Sequence, residues 1–483
     1  MKTIFIAPYR NVSIRYILST DIFLFLKRQK GLRIVIFIKG ENIDYYRKKY
    51  SDANTNIYFE DILYQNAYSI LRSRMGSFFN LIRIYMYGSK GGIKNNSPKI
   101  WGFIYTQQYG KSNLKGKSIF FLIKLIAILS NQISYLRRFI VFLETKLLNG
   151  SIYNNYFSDY NPDLLITSST GYMIDPLFMR AGKRNNCKVL SIVHSWDNPT
   201  TKAYRGASPD YVVAWNEIMK EELSVFQDIK KENIHVGGIA HWDDYFNGSL
   251  KNGGPFFKKV ANNTTRKLIM YATSAPLMFK KTFDIIENIL INIKNGIVVN
   301  ESKLIVRLHP NYLAKQKSNE RLILDIYKEK IDKLQREYTD LVEFNLPMVN
   351  WIEDDYELPI EDIKILGKLL IKSDLLLTEY STLMIEGSIF DTPVINVALG
   401  NFRDTDQPIS IIEGLNHIQR VLKTKATRQA YNMDQLIEQI NQYLSNPQLD
   451  SENRKKLVEQ EITTNIGNAG ESIGKYIYSL IKN

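Results

Sequence analysis

The chain has 483 residues, 45% of them hydrophobic, which is more than one core holds and implies two domains with extensions. Its formal charge of +14 is uneven: residues 1–150 carry 24 Lys and Arg against 7 Asp and Glu, a balance of +17 that leaves −3 for the remainder. A basic third of this kind draws an anionic, extended partner such as a membrane surface, a lipid diphosphate or a charged glycan; with no zinc spacing, helix-turn-helix cue or aromatic RNA-binding motif beside it, nucleic acid is set aside. Cys187 is the single cysteine, which excludes an intrachain disulfide and fits a reducing cytoplasm.

The first residues, Met1 to Ala7, are too short in their apolar part for a signal peptide and read as a strand. No stretch reaches the roughly 18 uninterrupted apolar residues of a spanning helix. A cytoplasmic protein is expected, at most peripheral at the inner face of the cell membrane. The opening pattern is strand Thr3 to Ala7, helix Ile14 to Lys30, strand Arg33 to Ile38, and the turn Pro8-Tyr9-Arg10-Asn11 lacks the glycines of a dinucleotide fingerprint. Residues 61–150 form an aromatic and basic insertion with loops at Gly88 to Pro98 and Gln107 to Gly116. In it Ile119 to Leu129 and Ile133 to Leu148, the latter bearing Arg137-Arg138, suit two helices. They are either packing elements or an in-plane membrane contact.

From Asp163 a Rossmann rhythm returns: strand Leu164 to Thr167, turn Ser168 to Gly171, helix Met173 to Arg184, strand Val189 to Val193. The strand ends in His194-Ser195-Trp196-Asp197-Asn198-Pro199. His194 or Asp197, leaving the carboxyl end of a strand together, suits a base for an acceptor hydroxyl, and Lys202 and Arg205 suit an acceptor phosphate or carboxylate. The alternative is that His194 and Asp197 hydrogen-bond one another and shape the loop. Asp210 to Trp215, Asn216 to Phe226 and Ile234 to Val236 complete the domain. Asp243-Asp244 reads as a solvated helix start, and 247–265, rich in Gly, Asn and Lys, reads as the linker.

The second domain opens with strand Lys267 to Ala272, followed by the small hydroxyl turn Thr273-Ser274-Ala275-Pro276. Phe279 to Lys294 is a helix, and the strand Lys303 to Val306 runs into Arg307-Leu308-His309-Pro310. Lys315 to Tyr338 reads as an exposed charged helix, Glu353-Asp354-Asp355 as solvated, and Asp362 to Ile371 as a helix. The buried run Leu375 to Leu377 then meets Thr378-Glu379-Tyr380-Ser381-Thr382, and a helical pattern from Leu383 to Ile389 leads to strand Val394 to Val397. Hydroxyls and N–H groups at a strand-to-helix turn suit phosphate, with Ser381 or Thr382 at the N-cap; the plain alternative is that they only cap. Asp404-Thr405-Asp406 matches an acidic metal triplet but lies downstream of that turn in a loop, so no metal is assigned. Helices are expected at Asp434 to Leu444, Glu452 to Glu459 and Gly470 to Ile481.

Arg307 to Pro310 followed about seventy residues later by Ser373 to Glu386 resembles the donor domain of bacterial surface-polysaccharide transferases of the two-Rossmann GT-B type. The nearest groups are the CDP-glycerol glycerophosphotransferases and the capsule sialyl- and Kdo-transferases. The resemblance spans residues 265–400 well and the amino-terminal half in outline. It implies an α/β fold of two Rossmann-like domains facing a cleft: 1–246 for the acceptor, with the insertion at 61–150; 266–425 for a nucleotide-activated donor; and 426–483 as helices packing back toward the first domain. It also implies that His309 and the Ser381-Thr382 pair hold the donor phosphates; the residues themselves add Arg307 at the same strand end, Thr273 and Ser274, for which a simple ST-turn is the alternative, and Glu386 facing the ribose. The expected function is metal-independent transfer of a sugar from a CMP, CDP, UDP or GDP donor to a growing surface polysaccharide, capsule or lipopolysaccharide, or to a lipid-linked acceptor. The teichoic-acid enzymes usually carry Asp-Tyr-Ser-Ser where this chain has Glu379-Tyr380-Ser381-Thr382, so the glycerol-phosphate substrate does not carry over. Three rivals stand beside this reading: a polyol-phosphate transferase, a UDP-GlcNAc 2-epimerase, whose Ser-Gly-Gly-x-Gln-Glu-Glu turn is absent, and a non-catalytic membrane-associated assembly protein.

Overall fold

A computed structural model describes residues 1–51, 56–86, 113–251, 266–276, 278–279, 281–299, 301–316, 321–352, 355–400 and 409–482. The loop at 88–98, residues 107–112, most of the linker at 247–265, Glu353-Asp354 and Asp404-Thr405-Asp406 lie outside them. The chain forms two compact units: Met1–Asp243 with Leu415–His417 and Ile462–Asn483, and Asp244–Gly414 with Ile418–Glu461.

The first unit is built on seven parallel strands, β1 (Lys2–Ala7), β2 (Leu32–Ile38), β3 (Ile57–Asp61), β4 (Leu164–Thr167), β5 (Lys188–Ile192), β6 (Tyr211–Ala214) and β7 (Ile234–Val236), in the order β3-β2-β1-β4-β5-β6-β7. The inner strands β1, β2, β4, β5 and β6 are largely apolar and buried, as strands covered on both faces of a sheet are. The order reverses direction between β1 and β4, and Asp163 fixes that pair from below, taking the Thr3 N–H at 2.8 Å and the Lys2 ammonium at 2.9 Å. The single helix expected over Ile14 to Lys30 is two, Asn11–Leu18 and Asp21–Lys27. They part at Ser19-Thr20, where the Thr20 hydroxyl bonds back to the Tyr16 carbonyl at 2.8 Å, the local competition that makes Thr a helix breaker.

The insertion contributes the helices Arg74–Tyr85, Leu114–Gln132 and Ser134–Leu147, the second capped by Asn113, whose side chain takes the Gly116 N–H. Buried charge holds them. Glu144 lies between Arg83 and Arg180, at 3.1 and 2.9 Å, and Arg137 makes a two-pronged pair with Asp228 at 2.7 and 2.8 Å. Gly150, at φ +73°, returns the chain to the sheet; a Cβ there would stand 2.0 Å from the Leu177 carbonyl oxygen.

The expected helical terminus at 426–483 divides. β15 (Thr427–Ala430) and the helices Met433–Ser445 and Ser451–Glu461 belong with the second unit, whereas Ala469–Lys482 packs on Asp21–Lys27 in the first. Gly470 and Gly474 permit that approach, since a Cβ on either would meet Asp21 or Phe25 within 3 Å. Asp243 is not solvated as expected: it is buried and takes the Ala469 and Gly470 N–H groups at 2.9 and 2.8 Å, capping this last helix.

The second unit holds six parallel strands in the order β10-β9-β8-β13-β14-β15 and a small antiparallel pair. Besides β15 they are β8 (Lys267–Ala272), β9 (Ser302–Arg307), β10 (Val342–Asn345), β13 (Leu375–Thr378) and β14 (Val394–Val397), with β11 (Asn350–Ile352) and β12 (Asp355–Glu357) forming the pair. Its switch point lies between β8 and β13, and Asp374 repeats there the clasp of Asp163, binding the Leu268 N–H and the Lys267 ammonium, both at 2.8 Å. In the charged stretch Lys315 to Tyr338 the described helix is Lys328–Glu337.

Replacing Asp228 with Asn keeps a residue that tolerates its left-handed backbone (φ +49°) while leaving Arg137 as an unpaired buried charge. Asp228→Asn is therefore expected to lower stability by about 3 kcal/mol in urea unfolding. A loss below roughly 0.5 kcal/mol would mean that the pair does not anchor the insertion.

Candidate functional site

In the second unit three turns stand side by side at the carboxyl ends of β9, β8 and β13, the edge at which open α/β sheets receive ligands. Two contacts stitch them together. The Thr273 hydroxyl accepts the His309 N–H at 3.1 Å, and Ser274 gives both its N–H, at 3.0 Å, and its hydroxyl to the Glu379 carboxylate. Glu379 also takes the Tyr271 and Thr282 hydroxyls, at 2.6 and 3.2 Å. Burial pushes its carboxyl above the ordinary range against the pull of those donors. The sequence assigns Glu379 no role, because a lone Glu after a strand carries no pattern; its place directly after LLLT and opposite a Thr-Ser turn is the available signal.

His309 lies half-buried at the end of β9. Its Nδ1 accepts the Asn311 N–H at 3.0 Å, which leaves the ring proton on Nε2, and burial lowers its pKa to about 4. It is thus a neutral N–H donor at pH 7. Beyond β13 the chain passes through Tyr380 in the left-handed region (φ +51°), a costly conformation of the kind that collects at functional turns. Ser381 follows, its hydroxyl 2.9 Å from that of Thr378 and accepting the Leu383 N–H at 3.2 Å. Among the described residues the backbone N–H groups of Ser381 and Thr382 carry no hydrogen bond. The helix after them, Leu383–Ile389, has seven residues, so its dipole is a minor term beside these direct donors.

Three expected contacts stand elsewhere. Arg307 is engaged elsewhere: its buried guanidinium gives Nη2 to both oxygens of Asp362 at 2.6 Å and Nη1 to Asn345 and the Leu346 carbonyl. Thr382 gives its hydroxyl proton to Glu386 at 2.9 Å, so its oxygen offers a ligand lone pairs. Glu386 is buried between Thr382 and Tyr245, whose hydroxyl it takes at 2.7 Å, which makes it a brace for the turn.

In the first unit His194 and Asp197 do leave β5 together, but they do not bond one another. His194 Nδ1 donates to the Ser168 carbonyl, so Nε2 carries the lone pair and stands 3.4 Å from the Tyr172 hydroxyl; burial lowers its pKa to about 4. Asp197 takes Ser195 at 2.5 Å, Thr201 at 2.7 Å and Lys202 at 3.2 Å. Burial works to raise its carboxyl, and Lys202, His417 and the two hydroxyls outweigh it, holding the group below the ordinary carboxylate range and making it a weak base. Lys202 also lies over the Tyr172 ring. Arg205 is buried beside Tyr204, 8% exposed, with its Nε lacking a hydrogen-bond partner among the described residues. Sequence reasoning missed Asp175, which heads the helix Asp175–Arg184 beside the first sheet's switch point. Burial raises its pKa to about 7 although Ser169 donates to it at 2.5 Å. No signal beyond a Ser-rich turn preceding an acid pointed to it.

Two doubly wound parallel sheets in one chain define the GT-B class of fold. A Staphylococcus aureus MnaA structure solved with UDP aligns over 100% of this chain and 98% of its own at 12% identity, with a TM-score of 0.51. A candidate UDP-N-acetylglucosamine 2-epimerase from Listeria monocytogenes aligns over 100% and 96%, also at 12% identity, with a TM-score of 0.53. A histidine-to-asparagine variant of the wall teichoic acid polymerase TagF covers 100% and 89% at 12% identity, but its TM-score of 0.47 is too low to argue from. No family model matches the chain, and no curated protein matches it in sequence. At these identities the likeness establishes the fold. Among the described residues no helix is long and apolar enough to cross a membrane, and no group of three or more His, Cys, Asp or Glu could hold a metal ion.

Two outcomes follow from this geometry. Glu379→Ala removes the acceptor of four hydrogen bonds and is expected to lower the melting temperature by several degrees, with Glu379→Gln less severe; equal melting of all three proteins would show that Glu379 does not hold the turns together. His194 and His309 stay unprotonated in the native state down to about pH 4, while the unfolded chain takes up protons near 6.5. The unfolded state therefore binds more protons in that window, and stability falls as pH drops from about 6.5 toward 4. Urea midpoints across this range should show the decline, and it should be shallower in His194→Asn and in His309→Asn.

Proposed function

We propose that this chain is a nucleotide-sugar-dependent glycosyltransferase that transfers a sugar from a nucleotide-activated donor to a polysaccharide or lipid-linked acceptor, without a metal ion. The observation that carries the reading is the set of three turns tied together across β9, β8 and β13, with the His309 N–H and the Ser381 and Thr382 donors at one edge. Fixed N–H and hydroxyl dipoles can meet the charge that develops on a departing nucleotide phosphate and need no reorganisation as the bond breaks. A fold neighbour solved with UDP supports a nucleotide as the guest.

In this reading His309 Nε2 and Ser381 grip the leaving phosphate, while Thr273 and Ser274 act as supports: the one positions the His309 loop and the other is held by Glu379. The first domain supplies the acceptor side. There His194 is the better base, because its Nδ1 is anchored on the Ser168 carbonyl, which leaves the lone pair on Nε2, 3.4 Å from the Tyr172 hydroxyl. Asp197 holds Lys202 at 3.2 Å, and in this reading Lys202 is the group that would meet an acceptor anion. A polyol-phosphate transferase would use the same donor turns and is separated by substrate alone.

Thermal shift with CMP, CDP, UDP, GDP and dTDP tests the donor site, since a ligand that binds the native state must raise its apparent stability. One nucleotide is expected to raise the melting temperature of the wild-type chain. His309→Ala should weaken that ligand at least tenfold, about 1.4 kcal/mol, and lower turnover by a similar factor, with its own melting temperature little changed. A silent nucleotide panel, or full affinity in His309→Ala, would defeat the reading.

A further inference from the structure

We propose that the helix pair Leu114–Gln132 and Ser134–Leu147 is a docking face for an anionic phospholipid bilayer, lying in the plane of its surface. This is independent of the donor chemistry above. Thirteen of the 29 large hydrophobic side chains that stand exposed among the described residues fall between 114 and 147, so the patch is not the ordinary scatter of surface apolar groups. The first of these helices is apolar around most of its circumference, and a helix of that kind wants apolar neighbours on more than one side. Among its described side chains only a stripe at Ile123, Ala127 and Ser130 is buried, the first two against the cluster that contains Phe79 and Ile82, while Phe121, Leu122, Leu125 and Ile128 point outward. On the second helix Arg137, Ile140, Val141 and Glu144 face inward, and Phe139 and Phe142 stack on each other at the surface.

The charges select the partner. Among the described side chains of the pair the exposed charged groups, Lys117, Lys124, Arg138 and Lys146, are all basic, and the one acid, Glu144, is buried between Arg83 and Arg180. Lys146 lies over the Phe142 ring at 5.4 Å, an arrangement that sets an apolar body and a cation at the same depth. A second copy docking through the same face would set these cations against their own kind, whereas anionic head groups meet them with opposite charge. Neither helix is long and apolar enough to cross, so the contact is in-plane. The Arg137–Asp228 and Arg83–Glu144–Arg180 pairs fix the face to the sheet below, so a bound bilayer would hold the domain in one orientation.

Flotation of the full chain with vesicles tests this. The wild-type protein is expected to float with vesicles of phosphatidylcholine containing about 30% phosphatidylglycerol, to bind at least about tenfold less to phosphatidylcholine alone, and to be released by roughly 0.5 M salt. The triple variant Phe121→Ser, Leu125→Ser, Phe142→Ser should lose at least about tenfold in binding to the anionic vesicles while melting at the wild-type temperature. Should that protein fail to fold, Lys117→Glu, Lys124→Glu, Arg138→Glu changes only exposed polar positions and should abolish flotation as well. Failure of the wild-type chain to float, equal binding to neutral vesicles, or unchanged binding of the folded variants would overturn the proposal. So would a wild-type dimer, measured by light scattering without lipid, that the triple variant makes monomeric, since a second copy would then be the occupant.

Discussion

The second domain depends on one carboxylate. At the point where its strand order reverses, β8 and β13 leave the sheet side by side, and their turns would diverge toward opposite faces. Glu379 closes them by accepting from Ser274 on the one side while anchoring to Tyr271 and Thr282 beneath. Thr273, next in chain to Ser274, then holds the backbone of His309. Remove that series of contacts and a hydroxyl turn, an imidazole and a pair of amides remain, each correct in kind and none fixed relative to the others. Preorganisation of this sort is what lets weak neutral donors stabilise a developing charge.

The site is also instructive in what does not bear charge. Arg307 carries the obvious phosphate-binding side chain, yet the sheet directs it to Asp362, where both charges are buried and satisfied. His309 is kept neutral by burial, so what it offers is a directed N–H and not a full positive charge. The first domain shows the same separation: Asp197 is held ionised and saturated by hydroxyls and Lys202, while the near-neutral carboxyl belongs to Asp175.

Much of the architecture was legible in the sequence, because buried parallel strands are short apolar runs such as Leu375 to Leu377 and Leu164 to Thr167, and such runs stand out. Strands with polar alternation, β3, β10 and β15, did not, since Ile57–Asp61, Val342–Asn345 and Thr427–Ala430 look like loop sequence until an edge position half-buries them. The candidate site was legible as a set of turns. Roles within it were not: whether Arg307 faces a ligand or Asp362 depends on a partner 55 residues away, and whether Thr382 donates to a phosphate or to Glu386 depends on Tyr245. Asp243-Asp244 shows the same limit, for what looked like solvated acids includes the cap of a helix more than two hundred residues later.

The account is tested most directly by a co-crystal structure with whichever nucleoside diphosphate binds in solution. It predicts phosphate oxygens about 2.7–3.2 Å from His309 Nε2 and from the Ser381 hydroxyl or amide, with Glu379 still bonded to Ser274. Phosphate density on another turn, with His309 contacting solvent alone, would contradict it.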